Sequence, residues 1–314
     1  MAKFIITVDS SCDYNIQELK ENNVPVIFFK YSCDNTFYED NMDENSYKDF
    51  YRKMKEGKVF KTSQINPQEY YDFFEKLLDQ HLPIIHISLG SGVSNTINSC
   101  NIAISMLKDE YPTCDIRAVD SYLASSGLAL LVLEGIKYRD ANEDVETAYR
   151  KIMDLVPHLN TYYTTNTLTY FARGGRLSKV EAFIGNALKI NPILDCNPAG
   201  ALRVIEKPRG IINAHNHIIA RIKQTAIDPK NSIFIMTNAD NPVVAVQLAE
   251  RIKRECGFKD YKLVNMGPII GAHTGPGLLA MFYFGKERSE GIPKLVIGKE
   301  KNKKELDKEL KKYS

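Results

Sequence analysis

Paired cysteines are missing from this sequence. The six cysteines stand at 12, 33, 100, 114, 196 and 256, none in a C-x-x-C pair and none with histidine at metal-ligand spacing. That argues against a structural zinc site or a disulfide framework; such scattered cysteines read as free, buried thiols in a reducing compartment. A surplus of one charge is missing too. Basic residues number 41 and acidic residues 39, for a net charge of +2, whereas nucleic-acid binders concentrate positive charge on one domain. The longest apolar run, Leu128–Leu133, is far below membrane-spanning length. The apolar part of Met1–Asp9 is too short for a signal peptide. The expectation is a cytoplasmic protein with no nucleic-acid partner and no integral membrane segment, whose contact with membranes is at most transient. Catalytic signatures are also lacking. No serine sits in Gly-x-Ser-x-Gly, no acidic residue can be assigned to orient His273, and no carboxylate cluster suits Mg²⁺. No cofactor and no metal are expected.

What is present is an alternation of short β-branched runs and amphipathic helical runs. With 314 residues, 44% hydrophobic and 25% charged, the chain has room for about two domains. Strands are expected at Phe4–Val8, Val24–Phe29, Ile84–Ser88, Ile116–Val119, Thr161–Thr164, Ser232–Thr237 and Lys262–Met266. Helices are expected over 16–22, 46–57, 67–80, 94–108, 123–139, 182–188, 208–226 and 243–256. Strands separated by helices imply an α/β fold with a mainly parallel sheet. The division reads as an N-terminal domain over 1–158, a C-terminal domain over 159–290 and a charged tail over 291–314, with a ligand cleft between the two domains.

The polar residues gather in a few places. Gly267–Gly277 holds four glycines and two prolines around His273 and reads as a stiff loop that presents the imidazole and backbone N–H groups. Asp9-Ser10-Ser11, Ser88–Ser94 and Asp120-Ser121 each end a strand just before a helix, and Lys61–Gln64 adds hydroxyls before a helix near Pro67. In open α/β sheets, ligands bind at the carboxyl ends of strands. Each segment taken alone reads better as a helix cap, and a serine can cap and touch a ligand at once. Gly90-Ser-Gly92 lacks the lysine of a phosphate loop. Arg173-Gly-Gly-Arg176 reads either as an anion clamp or partner contact, or as a helix-ending turn.

Taken in order, Val8–Ser11, Thr62–Gln64, Ser91–Ser94, Val119–Ser121 with Gly127–Leu131, Gly174–Leu177 and Gly267–His273 closely resemble the DegV family, the lipid-carrying subunits of bacterial fatty-acid kinase. The resemblance runs from about Phe4 to Phe284. It implies two α/β domains with a long-chain fatty acid between them, its carboxylate held by Thr62, Ser94 and His273, with Ser63 and Gly92 as neighbours. It implies that Arg176, and less directly Arg203, docks a separate ATP-binding kinase subunit, which would form an acyl-phosphate, so that this chain carries substrate and does not catalyse. Phe171, Phe183, Ile184, Leu188, Ile190 and Ile193 would line the acyl tunnel; core packing accounts for them equally well. The sequence departs from the family pattern at Leu89-Gly90, Ile65 and Asn95. The rival reading is a self-sufficient phosphotransferase or other enzyme acting on a small anionic ligand.

Overall fold

A computed structural model describes residues 3–177 and 190–295. The chain opens on β1 (Ile5–Asp9), buried along its whole length, as a central strand covered on both faces must be. A 3-10 turn, Ser10–Cys12, leads to α1 (Ile16–Glu21) and the short β2 (Val26–Ile27). The expected strand over Val24–Phe29 is therefore cut to two residues. A hairpin of β3 (Lys30–Cys33) and β4 (Thr36–Glu39) follows, then α2 (Glu44–Lys55) and β5 (Lys61–Ser63). These three strands form a small antiparallel sheet in the order β4-β3-β5. Next come α3 (Pro67–Leu78), β6 (Ile84–Ser88), α4 (Thr96–Glu110), β7 (Ile116–Asp120), α5 (Ser126–Asp140) and α6 (Val145–Leu155). The order β2-β1-β6-β7 is parallel throughout. The chain steps from β1 to one side and returns on the other. The topological switch, where ligands of open α/β sheets sit, therefore lies between the carboxyl ends of β1 and β6.

The second half contains β8 (Leu159–Thr164), α7 (Thr169–Arg173), β9 (Ile193–Cys196), β10 (Leu202–Glu206), α8 (Ile211–Thr225), β11 (Ile233–Asn238), α9 (Pro242–Cys256), β12 (Asp260–Asn265), α10 (Pro268–Thr274) and β13 (Leu279–Phe284). Its sheet runs β10-β9-β8-β13-β11-β12, and only the β11–β12 pair is parallel. The α/β expectation holds. Parallel pairing dominates the first sheet only, because the β9–β10 hairpin and the short return through α10 reverse strand direction in the second. The expected helix over 182–188 and most of the charged tail lie outside the described residues.

Helix α5 joins the halves. Ser126–Val132 is buried without a break, the pattern of a helix enclosed on all sides. It packs against β1 and β6 of one sheet and β8, β11 and β13 of the other. Ser126 Oγ meets Thr237 Oγ1 of β11 at 2.7 Å, which pairs two hydroxyls that burial would otherwise leave costly. The large core cluster accordingly contains Ile6 and Val8 together with Leu194 and Phe282, while a second cluster lies between the far face of the second sheet and α8 and α9.

Candidate functional site

The site is built from short elements that meet at the first sheet's switch point. Asp9 ends β1 and spans the crevice: its Oδ2 accepts from the N–H of Leu89, just past β6, at 2.7 Å. Its Oδ1 accepts from Ser11 N–H. Asp120, at the end of β7, accepts from Ser91 N–H at 3.0 Å and Tyr122 N–H at 2.9 Å. These carboxylates therefore order the loops; Asp9 also caps the 3-10 turn, whereas Ser125, not Asp120, stands at the N-cap of α5. Thr62 and Ser63 belong to β5, where Thr62 pairs with Tyr31. They do not precede α3 as capping hydroxyls; Asn66 caps that helix, with Glu69 completing a capping box.

The loop expected around His273 is largely a helix. Pro268 stands in its first turn, where its missing N–H is no loss, and Gly275 follows its end with φ +78, so the same residues that read as a loop are helix start and stop signals. His273, on the last turn, reaches back across the cleft. Its Nε2 lies 2.8 Å from Thr62 Oγ1. Its Nδ1 is buried, has no partner and rests against Gly174, where no side chain would fit. Burial first, and Arg176 second, pull the imidazole down to about 4. The ring is neutral at ordinary pH, with one nitrogen turned to the Thr62 hydroxyl.

Ser94 lies in the turn after β6. Its N–H donates to Gly90 O at 3.2 Å and its Oγ accepts from Thr96 N–H at 3.3 Å, so it holds the first N–H of α4, whose N-cap is Asn95, and still borders the cleft. Arg176 bridges the halves. Its Nε donates to Val93 O at 3.1 Å and its Nη1 to Gly174 O at 2.6 Å. Thr62, Ser63, Ser94, Arg176 and His273 all line one cavity. Gly92 does not; its backbone is pressed against the Ala199–Gly200 turn between β9 and β10, with no space for a Cβ. Arg203 is also elsewhere. It grips Asp195 at 2.6 and 3.1 Å and donates to Ser289 O and Glu290 O.

Behind the polar group the walls turn apolar: Leu89, Leu123, Tyr163, Phe171, Leu202 and Ile269, with Cys196 beside Tyr163. The cavity is about 130 Å³, against roughly 10–15 Å³ needed by one water in such a measure, so it admits a ligand of many atoms. Of the tunnel residues read from sequence, Phe171 lines this space. Phe183, Ile184 and Leu188 lie outside the described residues. Ile193 is a correction: it faces the opposite side of the second sheet and packs in the other core cluster with Tyr162. Ile190 bridges to Arg209 and is absent from the lining. Tyr163, Cys196 and Leu202 were missed, though strand alternation across β8 separates Tyr163 from Tyr162 and could have identified the former. Among the described residues, no group of three acidic, histidine or cysteine side chains could hold a metal, and no helix is long and apolar enough to cross a membrane.

A cavity with hydroxyls, a neutral imidazole and a guanidinium at one end and apolar walls behind suits a carboxylate carrying a hydrophobic tail, because a buried charge requires several donors. A DegV domain-containing protein of Clostridium perfringens is 32% identical over 286 residues, covering 91% of this chain and 98% of that one. A stearic-acid-binding protein from Eubacterium ventriosum shares the fold with a TM-score of 0.81 at 22% identity, covering 90% of this chain and 98% of its own. The fatty-acid-binding DegV of Bacillus subtilis does so with a TM-score of 0.77 at 21% identity, covering 91% and 100%. The model of the DegV family, described as uncharacterised protein, matches residues 3–286, and with that span and that relative the chain belongs to the DegV family.

Proposed function

We propose that this protein binds a long-chain fatty acid and presents its carboxylate to a separate ATP-dependent kinase subunit, which forms the acyl-phosphate. The observation that carries the reading is the Thr62–His273 contact at the polar end of an apolar cavity. Thr62, Ser94 and His273 hold the carboxylate, and Ser63 borders it. Residues 1–158 supply the hydroxyl loops, and residues 159–290 supply His273 and most of the acyl wall. The tail contributes roughly 0.8 kcal/mol for each buried CH₂, so it supplies most of the affinity while the polar end fixes orientation. The chain itself carries substrate, needs no cofactor and acts in the cytoplasm.

Arg176, at the rim beside His273, is the residue to which we assign kinase docking. Arg203 is the weaker assignment, because its guanidinium is already engaged by Asp195. Gly92 acts at the site only through close packing of its loop.

Native mass spectrometry of freshly purified protein, followed by denaturing extraction, tests the binding. A stoichiometric long-chain fatty acid is expected; an empty protein that also refuses added fatty acid would overturn the reading. Mixing the protein with kinase subunit, ATP and fatty acid tests presentation. Full turnover by a Ser94→Ala/His273→Ala double variant would sink the site assignment, and ATP turnover by the chain alone would restore the enzyme reading.

A further inference from the structure

Asp13 takes no part in the cavity lining, yet it is tied to the residue that does the most there. It closes the turn after β1 with φ +48, a left-handed backbone, and is only 3% exposed. Its Oδ1 accepts from the N–H of Gly267 at 2.8 Å. Gly267 is the N-cap of α10, so this bond anchors the start of the helix that carries His273. The neighbouring carbonyl of Met266 accepts from the Tyr51 hydroxyl at 3.0 Å. Two consecutive backbone positions are thus held from the first half of the molecule.

The fit around this anchor leaves no slack. A Cβ on Gly267 would lie 2.9 Å from the Tyr47 hydroxyl and 3.0 Å from Asp13 Oδ1; one on Gly271 would lie 2.6 Å from the Tyr51 hydroxyl. The second carboxyl oxygen of Asp13 is buried without a well-aligned hydrogen bond, although the Ser125 hydroxyl lies close to the carboxyl. Burial, with Asp40 and Asp9 nearby, holds the carboxyl well above the usual range. Its Oδ1 serves Gly267 as an acceptor in either protonation state.

We propose that Asp13 is a positioning residue for the carboxylate site: by fixing the first peptide of α10 it sets the reach of His273 toward Thr62, without touching the ligand. The inference rests on the fatty-acid reading of the cavity for its effect on affinity, but not for its effect on the imidazole.

The test is Asp13→Ala and Asp13→Asn, each with His273 intact and in a His273→Ala background. Each is titrated with a long-chain fatty acid and with the alcohol of the same length, and the ligand-free His273 ring resonances are recorded by NMR. Asp13→Ala is expected to weaken acid binding on the order of tenfold and alcohol binding by less than about twofold. It is expected to add nothing once His273 is gone and to shift the His273 resonances. Asp13→Asn, which keeps a side-chain oxygen acceptor of the same reach, is expected to restore both affinity and resonances. Equal loss for acid and alcohol, equal loss in the His273→Ala background, or unmoved resonances would overturn the proposal. If Asp13→Ala does not fold, Asp13→Ser takes its place under the same criteria. If the parent binds no fatty acid, the lipid reading fails alone and the resonances still decide the role of Asp13.

Discussion

Replacing Gly174 by alanine is expected to move His273 without changing any polar group. Gly174 ends α7 at φ −73 and ψ −11, a right-handed helical conformation that alanine adopts freely. Its new Cβ would overlap His273 Nδ1, roughly 1 Å inside ordinary van der Waals contact. The backbone there is anchored, because Gly174 N–H donates to Tyr170 O and its carbonyl accepts from Arg176. The imidazole is therefore the part that yields. Its Nε2 already stands at 2.8 Å from Thr62 Oγ1 on the other side of the ring, so a displacement of roughly 1 Å cannot be taken up along that line and the ring must turn out of its place beside Thr62. A ring so turned withdraws one hydrogen bond from the carboxylate of the proposed ligand, and losing one bond to a charged group costs about 1.5–3 kcal/mol, or about 10- to 150-fold in affinity. Gly175→Ala is the control. Gly175 has φ +71 and open space around it, so the change strains the backbone by roughly 1–2 kcal/mol and leaves the ring alone. Titration calorimetry with one saturated fatty acid, with melting curves for both variants, separates the effects. A Gly174→Ala protein that binds within about twofold of the parent, or a Gly175→Ala protein that matches its loss, would refute the reasoning.

Three further outcomes follow from buried groups. Asp40 is pushed up to about 7 by burial first, with Asp9 and Glu39 adding, against bonds from Ser10 and Met42. Its folded value lies above the unfolded one, so its contribution is fully present below about 3.8 and is lost as pH rises from there to about 7; Asp40→Asn should therefore gain melting temperature relative to the parent as pH is raised across that window and hold the gain above it, and a difference that does not change with pH would count against it. His86, pulled down to about 3 by burial, runs the other way. Its folded value lies below the unfolded one, so stability is lost as pH falls from about 6.5 toward 3; a His86→Gln protein should show a shallower acid loss in melting curves across that window. Arg203 and Asp195 have side chains only 18% and 12% exposed; Arg203→Ala should cost roughly 2–3 kcal/mol in urea unfolding, and Asp195→Asn added to it should recover part of that loss. A stability equal to the parent combined with failed kinase turnover would instead make Arg203 a docking residue.

The strands that were legible are the ones whose composition leaves no other use for them. Ile5–Asp9, Ile84–Ser88 and Ile233–Asn238 are β-branched runs bounded by small polar residues, and all three form. β13 was missed because Leu-Ala-Met-Phe-Tyr-Phe has no β-branched residue and no alternation; pairing with β8 and β11 on either side, not local preference, makes it a strand. Helix α10 was misread for the opposite reason. Its ends are so strongly marked by Pro268 and Gly275 that the few residues between them looked like loop, and what sustains so short a helix is tertiary anchoring through Asp13 and Tyr51.

The site was visible as residue types but not as an arrangement. Thr62 and His273 are 211 residues apart and meet at 2.8 Å; no spacing rule reaches that far, and only the ordered likeness to the DegV family joined them beforehand. Ser94 shows why local reading could not decide. Its oxygen accepts from Thr96 N–H at the start of α4 while the residue lines the cavity, so a part in ordering the turn and a place at the cavity wall fall on one side chain. Asp9 and Asp120 carry the same signal at the ends of their strands, yet both turn their oxygens onto backbone N–H groups of the neighbouring loops. What separates Ser94 from them is the second half of the molecule: Arg176 reaches across to the carbonyl of Val93, and with Phe171, Leu202 and His273 it closes the crevice above Ser94 into a cavity. A strand-end hydroxyl comes to line a cavity where the second half of the chain supplies the opposite wall, and that wall is set by the packing of α5 between two sheets.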